Sequence, residues 1–419
     1  MAGRWLILAD DLTGAADCAI AFGRRGLAAA VSWGVAADER AARPPVFSYD
    51  ADSRGMTGEA AGRRHARALA EHLEQDRVLF KKIDSTLRGQ PAAETAATIE
   101  HLRSHGRSGF GVFAPAFPSV GRTTVEGRIL VNGGPLEDTE TWKRDHSYES
   151  SDLVEALASA GVAAEKVLLP VIRGDEAALI AALEAIAAKG DTVAVCDAAS
   201  DDDLARIAKA SLALKSAPFF IGSAGLAHAL AEVAPLDPTP GPRLAPTANG
   251  TLIVVGSLAA TSRAGAKKLV ESGAVSYVPA SPEVLLAGDR DGRADLGREV
   301  ARRLAAGEDV LVEILMGEQV DMSVGSSLAA GLASALEGVY PAVGAFAATG
   351  GETAAALLNR FGVSGIRLAD EIEPGVSLGL TVGKLSVPIA TKAGAFGDEM
   401  SITRIAERLK TVRTEGSFA

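Results

Sequence analysis

The chain has 419 residues, of which 47% are hydrophobic and 23% charged, and its 42 basic and 53 acidic side chains give a net charge of −11. This composition excludes a disordered or fibrous chain. The acidic balance and the aromatic content of only 5% argue against a nucleic-acid partner. No run approaches the roughly 20 apolar residues of a membrane span, so we expect no membrane partner. At about 150 residues per domain, the length predicts two or three domains.

The cysteines and the N-terminus predict a cytoplasmic location. Cys18 and Cys196 are far apart in apolar surroundings, a pattern typical of neither a disulfide framework nor a zinc site. The apolar stretch before Asp10 is too short for the core of a signal peptide. We therefore expect a cytoplasmic protein whose two cysteines fill the core.

Short apolar runs that end in Gly, Ser or Asp alternate with Ala-rich segments of helical period along the chain. This alternation predicts an α/β fold in which helices connect mainly parallel strands. A helix is predicted for Gly58–Leu73, where Ala and Leu form an apolar stripe. The strands predicted in the first half are Arg4–Ala9, Val78–Ile83, Phe110–Ala114, Thr192–Cys196 and Pro218–Ile221.

A proline-rich stretch divides the sequence. Residues 235–250 contain too many prolines for a helix or a central strand. We predict that this stretch is a linker between an N-terminal domain, residues 1–234, and a C-terminal domain, residues 251–419. The second domain is predicted to contain strands at Thr251–Val255, Asp309–Leu315 and Val343–Ala348 and a β-rich part at 366–395.

The first candidate site follows the first predicted strand. Ligands of open α/β sheets bind outside the carboxyl ends of the strands, and Asp10 and Asp11 stand at such an end, before Thr13 and Gly14. Adjacent carboxylates repel each other unless a cation or a hydroxyl-rich ligand compensates. The pattern favours a functional site, although Asp11 alone is also explained as a helix N-cap.

A second candidate site follows strand 78–83 and combines Lys82, Asp84, Ser85 and Arg88. Here the cations can bind a carboxylate while the acid accepts a hydrogen bond from a hydroxyl. The alternative interpretation is an exposed loop of ion pairs.

Two further turns of the first half are weaker signals. Pro115 and Pro118 stiffen a loop that leads to Arg122 and Thr123, which suits anion recognition. Gly222–Leu226 is a tight turn from a strand into a helix. Its free amides suit an anion, and a purely structural turn explains it equally well.

A glycine-rich turn in the second half is a candidate phosphate cradle. Paired glycines let backbone amides approach an anionic ligand, and the helix that follows adds a favourable potential. Two companion turns, around Ser257 and Gly394, are expected to complete this cradle. The turn itself consists of Gly350, Gly351, Glu352 and Thr353.

These segments, in this order, resemble the four-carbon acid sugar kinase family, and the resemblance spans nearly the full chain. It implies that the N-terminal domain binds a C4 sugar acid such as threonate, erythronate or 3-oxo-tetronate, and that the C-terminal domain binds ATP. Two departures are visible: Ile83 stands where many relatives have Thr, and Ala393 and Ala395 flank Gly394 where Ser and Gly or Asn are common. The matching segments are Ala9–Asp17, Lys82–Gly89, Pro115–Pro118, Gly121–Thr123, Gly222–Leu226, Thr349–Thr353 and Lys392–Gly397.

The resemblance also implies the site residues and ATP as the donor, and the chemistry of phosphoryl transfer adds Mg²⁺ as the expected metal. The catalytic residues are Asp10, Asp11, Asp84 and Arg88, and the substrate-binding residues are Lys82, Ser85, Arg122 and Thr123. The nucleotide-binding residues are Ser257, Gly350, Gly351, Glu352, Thr353 and Gly394, and the candidate Mg²⁺ ligands are Glu352 and Asp398.

Phosphoryl transfer requires a phosphate cradle, a metal and a group that accepts the hydroxyl proton. We expect Lys82, Arg88 and Arg122 to bind the substrate carboxylate, and one of the three aspartates to accept the proton of the terminal hydroxyl. Two other functions stay open: a Mg²⁺-dependent sugar-phosphate phosphatase with an aspartate nucleophile, and a non-catalytic two-domain sensor of a sugar acid. The phosphatase is disfavoured because Asp10 and Asp11 are one residue out of register with the Asp-x-Asp motif. The expected partner is the small-molecule acid, and a homo-oligomer stays open.

Overall fold

The computed structural model describes residues 3–33, 43–235, 242–256, 259–286, 290–315, 324–392 and 397–418. Its contacts divide the chain into two units, residues 1–239 and 240–419. Each unit combines helices with a mainly parallel sheet, which confirms the predicted α/β fold class. The limits of the two domains and of the linker stay a prediction. In the described ranges, no helix has the length and apolar character needed to cross a membrane.

The N-terminal unit is built on a parallel sheet. Its described strands are β1 (Arg4–Ala9), β2 (Ala29–Trp33), β3 (Val46–Asp50), β4 (Arg77–Lys82), β5 (Gly111–Ala114), β6 (Arg122–Val125), β7 (Arg128–Val131), β8 (Gly134–Pro135), β9 (Ala163–Val167), β10 (Thr192–Cys196) and β11 (Phe219–Gly222). The parallel sheet has the order β2-β3-β1-β4-β11-β5-β10-β9. Strands β6, β7 and β8 form a separate antiparallel sheet. Because β1 lies between β3 and β4, the loops that follow these three strands meet at one edge.

Helices cover this sheet, and its strands are accordingly apolar. In β1, every residue after Arg4 is buried, as expected for a parallel strand that is covered on both faces. Leu6, Leu79 and Ile221 belong to one buried core cluster. The described helices are α1 (Leu12–Gly23), α2 (Gly58–His72), α3 (Pro91–Ser104), α4 (Glu140–Arg144), α5 (Leu153–Ala158), α6 (Leu169–Ile172), α7 (Glu176–Ala187), α8 (Asp201–Leu212) and α9 (Ala224–Val233), with short 3₁₀ turns at Pro118–Val120 and Leu136–Asp138.

The sequence patterns locate most of this sheet. Strands β1 and β10 have the predicted bounds, the bounds of β4, β5 and β11 differ from the prediction by one residue, and the predicted helix 58–73 is α2. Strands β2, β3 and β9 were missed. Polar residues interrupt their apolar pattern, as in the sequence Val-Phe-Ser-Tyr-Asp of β3, so no continuous apolar run marks them.

The C-terminal unit has a second sheet. Its described strands are β12 (Thr251–Val255), β13 (Ser276–Ala280), β14 (Val310–Ile314), β15 (Ala345–Thr349), β16 (Val363–Glu373), β17 (Val376–Gly383) and β18 (Pro388–Lys392). The order is β13-β14-β12-β15-β18-β17-β16, and among these described strands β17 runs in the direction opposite to all the others. The predicted β-rich part corresponds to β16, β17 and β18. The described helices are α10 (Ala260–Glu271), α11 (Pro282–Leu286), α12 (Arg290–Ala305), α13 (Gly325–Ala335), α14 (Gly351–Arg360) and α15 (Ser401–Glu415), with a 3₁₀ turn at Glu337–Ala342.

Candidate functional site

Asp10 and Asp11 lie at the carboxyl end of β1, where α1 begins. Asp11 is the N-cap of α1: its carboxylate accepts hydrogen bonds from the backbone N–H of Gly14 at 3.2 Å and from Thr13 Oγ1 at 2.7 Å. Asp10 is buried. Asp11 is therefore an N-cap, as one interpretation of the sequence predicted. Both aspartates also belong to a cluster of charged side chains, so capping is not the only interaction of Asp11.

Arg54 joins the two aspartates. Its Nε and Nη2 donate to the Asp10 oxygens at 2.8 and 3.2 Å, and its Nη1 and Nη2 donate to the Asp11 oxygens at 3.1 and 2.8 Å. The same guanidinium lies 3.7 Å from Asp84 Oδ1. Burial alone would raise the pKa of Asp11, but Arg54 and then Lys82 outweigh it and lower the pKa to about 2. The carboxylate is therefore ionised at neutral pH.

Arg54 was missed by the sequence analysis. It lies in the loop after β3, and β3 was not recognised as a strand. The other candidates were found among the residues that follow each strand. The same rule would have found Arg54 if β3 had been recognised. In this loop Asp52 has a φ of 50°, and its backbone N–H donates to Asp50 Oδ1 at 2.7 Å. A tight Asx turn thus directs the chain from β3 towards Asp10.

Lys82 is the second cation that contacts both aspartates. Its Nζ lies 3.6 Å from Asp10 Oδ1 and 3.5 Å from Asp11 Oδ1. Burial alone would lower the pKa of Lys82, but Asp10 and Asp11 raise it above its ordinary value. A Cβ added to Gly14 would lie 2.2 Å from Lys82 Nζ. Glycine at that position therefore lets the ammonium approach the start of α1.

The loop after β4 supplies a third carboxylate and its partner. Arg88 donates to both oxygens of Asp84, from Nη2 at 2.8 Å and from Nε at 3.1 Å, and Thr86 adds a backbone and a hydroxyl hydrogen bond. Burial alone would raise the pKa of Asp84, but Arg88 and Arg54 hold it well below its ordinary value. Leu87 adopts a φ of 56°, which is rare for a residue with a side chain. The loop is thus rich in ion pairs but buried, so its interpretation as an exposed loop is wrong.

Arg122 begins β6 and is half-buried. Its Nη1 donates to Val120 O at 3.0 Å. Burial lowers the pKa of Arg122. The negative charge of Asp84 raises this pKa in part, and the positive charge of Arg88 lowers it further. Arg122 therefore lies within electrostatic reach of the Asp84–Arg88 pair.

Two of the predicted substrate-binding residues are not joined to this cluster by the contacts of the described chain. Ser85 is half-buried in the loop between Asp84 and Thr86, and Thr123 pairs with Leu130 in the small antiparallel sheet. Their roles stay a prediction.

The cluster has more cations than anions. Three carboxylates (Asp10, Asp11, Asp84) face three cations that contact them (Arg54, Lys82, Arg88), and Arg122 adds a fourth cation, so these seven side chains carry a formal charge of +1. Such a cluster suits a ligand with one carboxylate and several hydroxyls, since the cations bind the carboxylate and the aspartates accept from the hydroxyls.

The turn at Gly222–Leu226 has a structural explanation. Ser223 is the N-cap of α9, and its Oγ donates to Ala116 O at 3.1 Å. A Cβ at Gly225 would lie 2.3 Å from that same carbonyl oxygen. The turn is required for close packing against the loop after β5, which favours the structural of the two interpretations.

In the C-terminal unit, the predicted phosphate turn lies beside two other strand ends. Val255 of β12 pairs with Thr349 of β15, and Thr349 pairs with Lys392 of β18. Gly350 has a φ of 91°, and its N–H donates to Lys392 O at 3.3 Å. The three turns that the sequence analysis grouped therefore begin at neighbouring positions of one sheet edge.

This edge fits a phosphate group. Thr349 Oγ1 is buried and has no hydrogen-bond partner among the described residues. Among the described residues, a Cβ at Gly351 would meet nothing within 4 Å, whereas one at Gly256 would lie 2.1 Å from Thr353 Oγ1. Backbone N–H groups at a helix start bind anions. Ser257 and Gly394 lie outside the described residues.

The predicted magnesium ligands are not joined by any contact in the described part of the chain. Glu352 is exposed in the first turn of α14. Asp398 accepts from Arg404 Nη2 at 2.7 Å and from the Met400 N–H at 2.8 Å. These two side chains do not by themselves form a metal site, and their role stays a prediction.

Comparisons with known proteins agree with this division of the chain. Residues 5–230 match a sugar-binding N-terminal domain family, and residues 252–402 match a nucleotide-binding C-terminal domain family. The chain is 38% identical to a D-threonate kinase of Cupriavidus necator, covering 95% of this chain and 96% of the relative. It is 28% identical to a D-erythronate kinase of Heliobacterium modesticaldum, covering 97% of both. A crystal structure from Salmonella typhimurium LT2 shares the fold with a TM-score of 0.79 at 20% identity, over 97% of this chain and 99% of the other.

Proposed function

The chain belongs to the four-carbon acid sugar kinase family, and we propose that it transfers the γ-phosphoryl group of ATP to the terminal hydroxyl of a four-carbon sugar acid. It is a phosphotransferase that acts on an alcohol group of such an acid. We expect D-threonate to be the preferred acid, because the relative at 38% identity is a D-threonate kinase.

The observation that carries this proposal is the charge cluster at the ends of β1, β3 and β4. Arg88 is the most exposed of the cations that contact the aspartates, with 31% of its side chain exposed, against 22% for Arg54 and 6% for Lys82. Arg88, together with Arg122, therefore binds the substrate carboxylate. The deeper Lys82 and Arg54 keep Asp11 ionised and hold both aspartates in place.

Asp11 accepts the proton of the attacking hydroxyl in this proposal. All three carboxylates accept from an arginine, but the Asp11 side chain is 20% exposed, whereas those of Asp10 and Asp84 are 2% and 12% exposed, so Asp11 is the most accessible of the three to a substrate hydroxyl. A low pKa does not prevent this role, because phosphoryl transfer has a loose transition state in which positioning and charge neutralisation dominate. Asp10 and Asp84 then orient the cations around the substrate.

The C-terminal unit binds the donor. The N–H groups at the start of α14 and Thr349 Oγ1 bind phosphate oxygens, and Gly350 supplies the left-handed backbone that directs them there. Mg²⁺, when bound with the triphosphate, neutralises charge on the transferred group. Glu352, the exposed carboxylate in the first turn of α14, would be the candidate to contact this Mg²⁺.

A screen of ADP release tests the proposal. The purified chain is incubated with ATP, Mg²⁺ and, separately, D- and L-threonate, D- and L-erythronate and the 3-oxo acids, with glycerate and pentonates as size controls. We expect acid-dependent ADP release that is fastest with D-threonate. Binding of an acid without ADP release would favour the sensor, and phosphate release from a four-carbon sugar phosphate without ATP would favour the phosphatase.

A further inference from the structure

A group of buried polar side chains lies next to the charge cluster, and we call it the buried network. The exposed fraction is 0% for Ser53, His65 and Lys81 and 1% for Glu94. These residues come from four elements, the loop after β3, helix α2, strand β4 and helix α3. None of them takes part in the chemistry proposed above.

Glu94 is the centre of the buried network. Lys81 Nζ lies 2.6 Å from Glu94 Oε2, and Ser53 Oγ donates to Glu94 Oε1 at 2.7 Å. His65 Nε2 lies 3.0 Å from Ser53 Oγ and 3.3 Å from Glu94 Oε1. Burial and the charge of Lys81 lower the pKa of His65, so the ring is neutral at pH 7. Because the Ser53 hydroxyl donates to Glu94, His65 donates from Nε2 to Ser53 Oγ.

The buried network holds the backbone on both sides of the charge cluster. The N–H groups of Ser53 and Arg54 donate to Asp10 O at 3.1 and 3.2 Å. Lys81 Nζ donates to Lys82 O at 2.8 Å. The hydrogen bond from Ser53 to Glu94 thus fixes the residue before Arg54. The hydrogen bond from Lys81 Nζ fixes the backbone carbonyl of Lys82. The residues that precede Arg54 and Lys82 in the chain therefore both contact the same buried carboxylate, that of Glu94.

Stability alone does not account for this arrangement. A buried ion pair is often no more stabilising than well-packed apolar residues of the same volume. In addition, His65 Nδ1 is buried without a hydrogen-bond partner among the described residues, and an unpaired buried acceptor is destabilising. The network does, however, connect four elements at the point where the two cations leave the backbone.

We infer that Ser53 and Glu94 are positioning residues for the proposed phosphoryl transfer: they hold the backbone of Arg54 and Lys82 so that both cations meet the aspartates in register. The kinetic effects expected from this inference rest on the proposed function. The positions of Arg54 and Lys82, which the inference explains, do not depend on that function. Since a misplacement of about 1 Å can cost roughly a hundredfold in rate, the loss of one buried hydrogen bond is expected to be visible in kinetics.

A double-mutant cycle between Ser53 and Arg54 tests the inference. We expect Ser53→Ala to lower kcat/KM for D-threonate roughly tenfold and to leave KM for ATP unchanged. In the Arg54→Lys background, the same change should alter kcat/KM by less than about twofold, because its effect passes through the arginine. An equal fold loss in both backgrounds, or no loss in either, would overturn the inference.

Thr95→Ala is the matched control. Thr95 is also fully buried on α3, and its hydroxyl donates to Pro91 O at 2.7 Å, so the control removes a buried hydrogen bond beside Glu94 without touching the buried network. We expect its kcat/KM to stay within about twofold of the wild type. A loss equal to that of Ser53→Ala would show general destabilisation and contradict the positioning role.

A spectroscopic measurement separates this inference from the proposed function. In protein labelled with ¹⁵N-arginine, the Nε–Hε signal of Arg54 is assigned by its disappearance in Arg54→Lys. We expect Ser53→Ala to shift that signal and Thr95→Ala to leave it in place, whether or not any acid is turned over. An unshifted signal in Ser53→Ala contradicts the inference, whereas a shift without activity on any acid contradicts only the proposed function.

Discussion

Removal of the Arg54 guanidinium is the most direct test of the charge cluster. In Arg54→Met, the four hydrogen bonds from Arg54 to Asp10 and Asp11 are lost and only Lys82, at 3.5 to 3.6 Å, remains beside both carboxylates. The depression of the Asp11 pKa from 3.8 to about 2 corresponds to about 2 kcal/mol of stability at neutral pH. We expect Arg54→Met to lose about that amount, since Arg54 is the largest of the favourable charge effects on Asp11.

The pH dependence of this loss has a definite sign. The pKa of Asp11 is lower in the folded than in the unfolded chain, so its contribution to stability is present above pH 3.8 and disappears as the pH falls towards 2. Urea unfolding of the wild type and of Arg54→Met should therefore differ at pH 7 and converge in acid. Arg63→Met, which removes an exposed arginine paired with Glu59 on α2, should change stability by less than about 0.5 kcal/mol.

Activity supplies the second readout for Arg54→Met. We expect kcat/KM for the sugar acid to fall by about a hundredfold or more, because the aspartates are no longer held in register. KM for ATP should stay unchanged, since Arg54 belongs to the N-terminal unit. If Arg54→Met unfolds within about 0.5 kcal/mol of the wild type at pH 7 and keeps its kcat/KM, the role assigned to this arginine is refuted.

Three further changes address single features of the site. Gly14→Ala places a Cβ 2.2 Å from Lys82 Nζ and should cost about 1 to 3 kcal/mol in urea unfolding and lower activity. Gly55→Ala, whose Cβ meets no described residue within 4 Å, should change neither. Gly350→Ala strains a residue with a φ of 91° and should raise KM for ATP but not for the acid. Gly338→Ala is the control. An unchanged KM for ATP in Gly350→Ala would contradict the phosphate-binding role of this turn. Asp11→Asn should lower kcat by roughly 10²- to 10⁴-fold, and near-normal turnover would exclude it as the proton acceptor.

The sequence located the parts of the site whose strands are continuous apolar runs. Strand β1 is almost entirely apolar, so Asp10 and Asp11 were recognised at its end. Strand β3 lies next to β1 in the same sheet, but Ser48 and Asp50 interrupt its apolar run, and Arg54 after it was missed for that reason. The error lay in the recognition of the strand and not in the chemistry expected after it.

Sheet order was beyond the reach of local patterns. The turns after β12, β15 and β18 could be proposed from their glycines, but their proximity depends on which strands pair. The pairing of Thr349 with Val255 on one side and with Lys392 on the other follows from packing over the whole unit. The same holds for the buried network, because Ser53, Lys81 and Glu94 are brought together only when the loop after β3, strand β4 and helix α3 pack side by side.

A net charge of −11 disfavours anionic ligands at long range, but the charges that decide binding are those close to the site. At physiological ionic strength the Debye length is about 8 Å, so most exposed acidic side chains are screened from a ligand at the strand ends. Arg54 and Lys82 are largely buried, contact their partners at 2.8 to 3.6 Å and are screened much less. Because the cations of the cluster outnumber its carboxylates by one, the entry of a monoanionic acid brings the formal local charge to zero. We therefore expect the site to favour an acid with a single carboxylate, because a second carboxylate would meet the aspartates without an additional cation to compensate its charge.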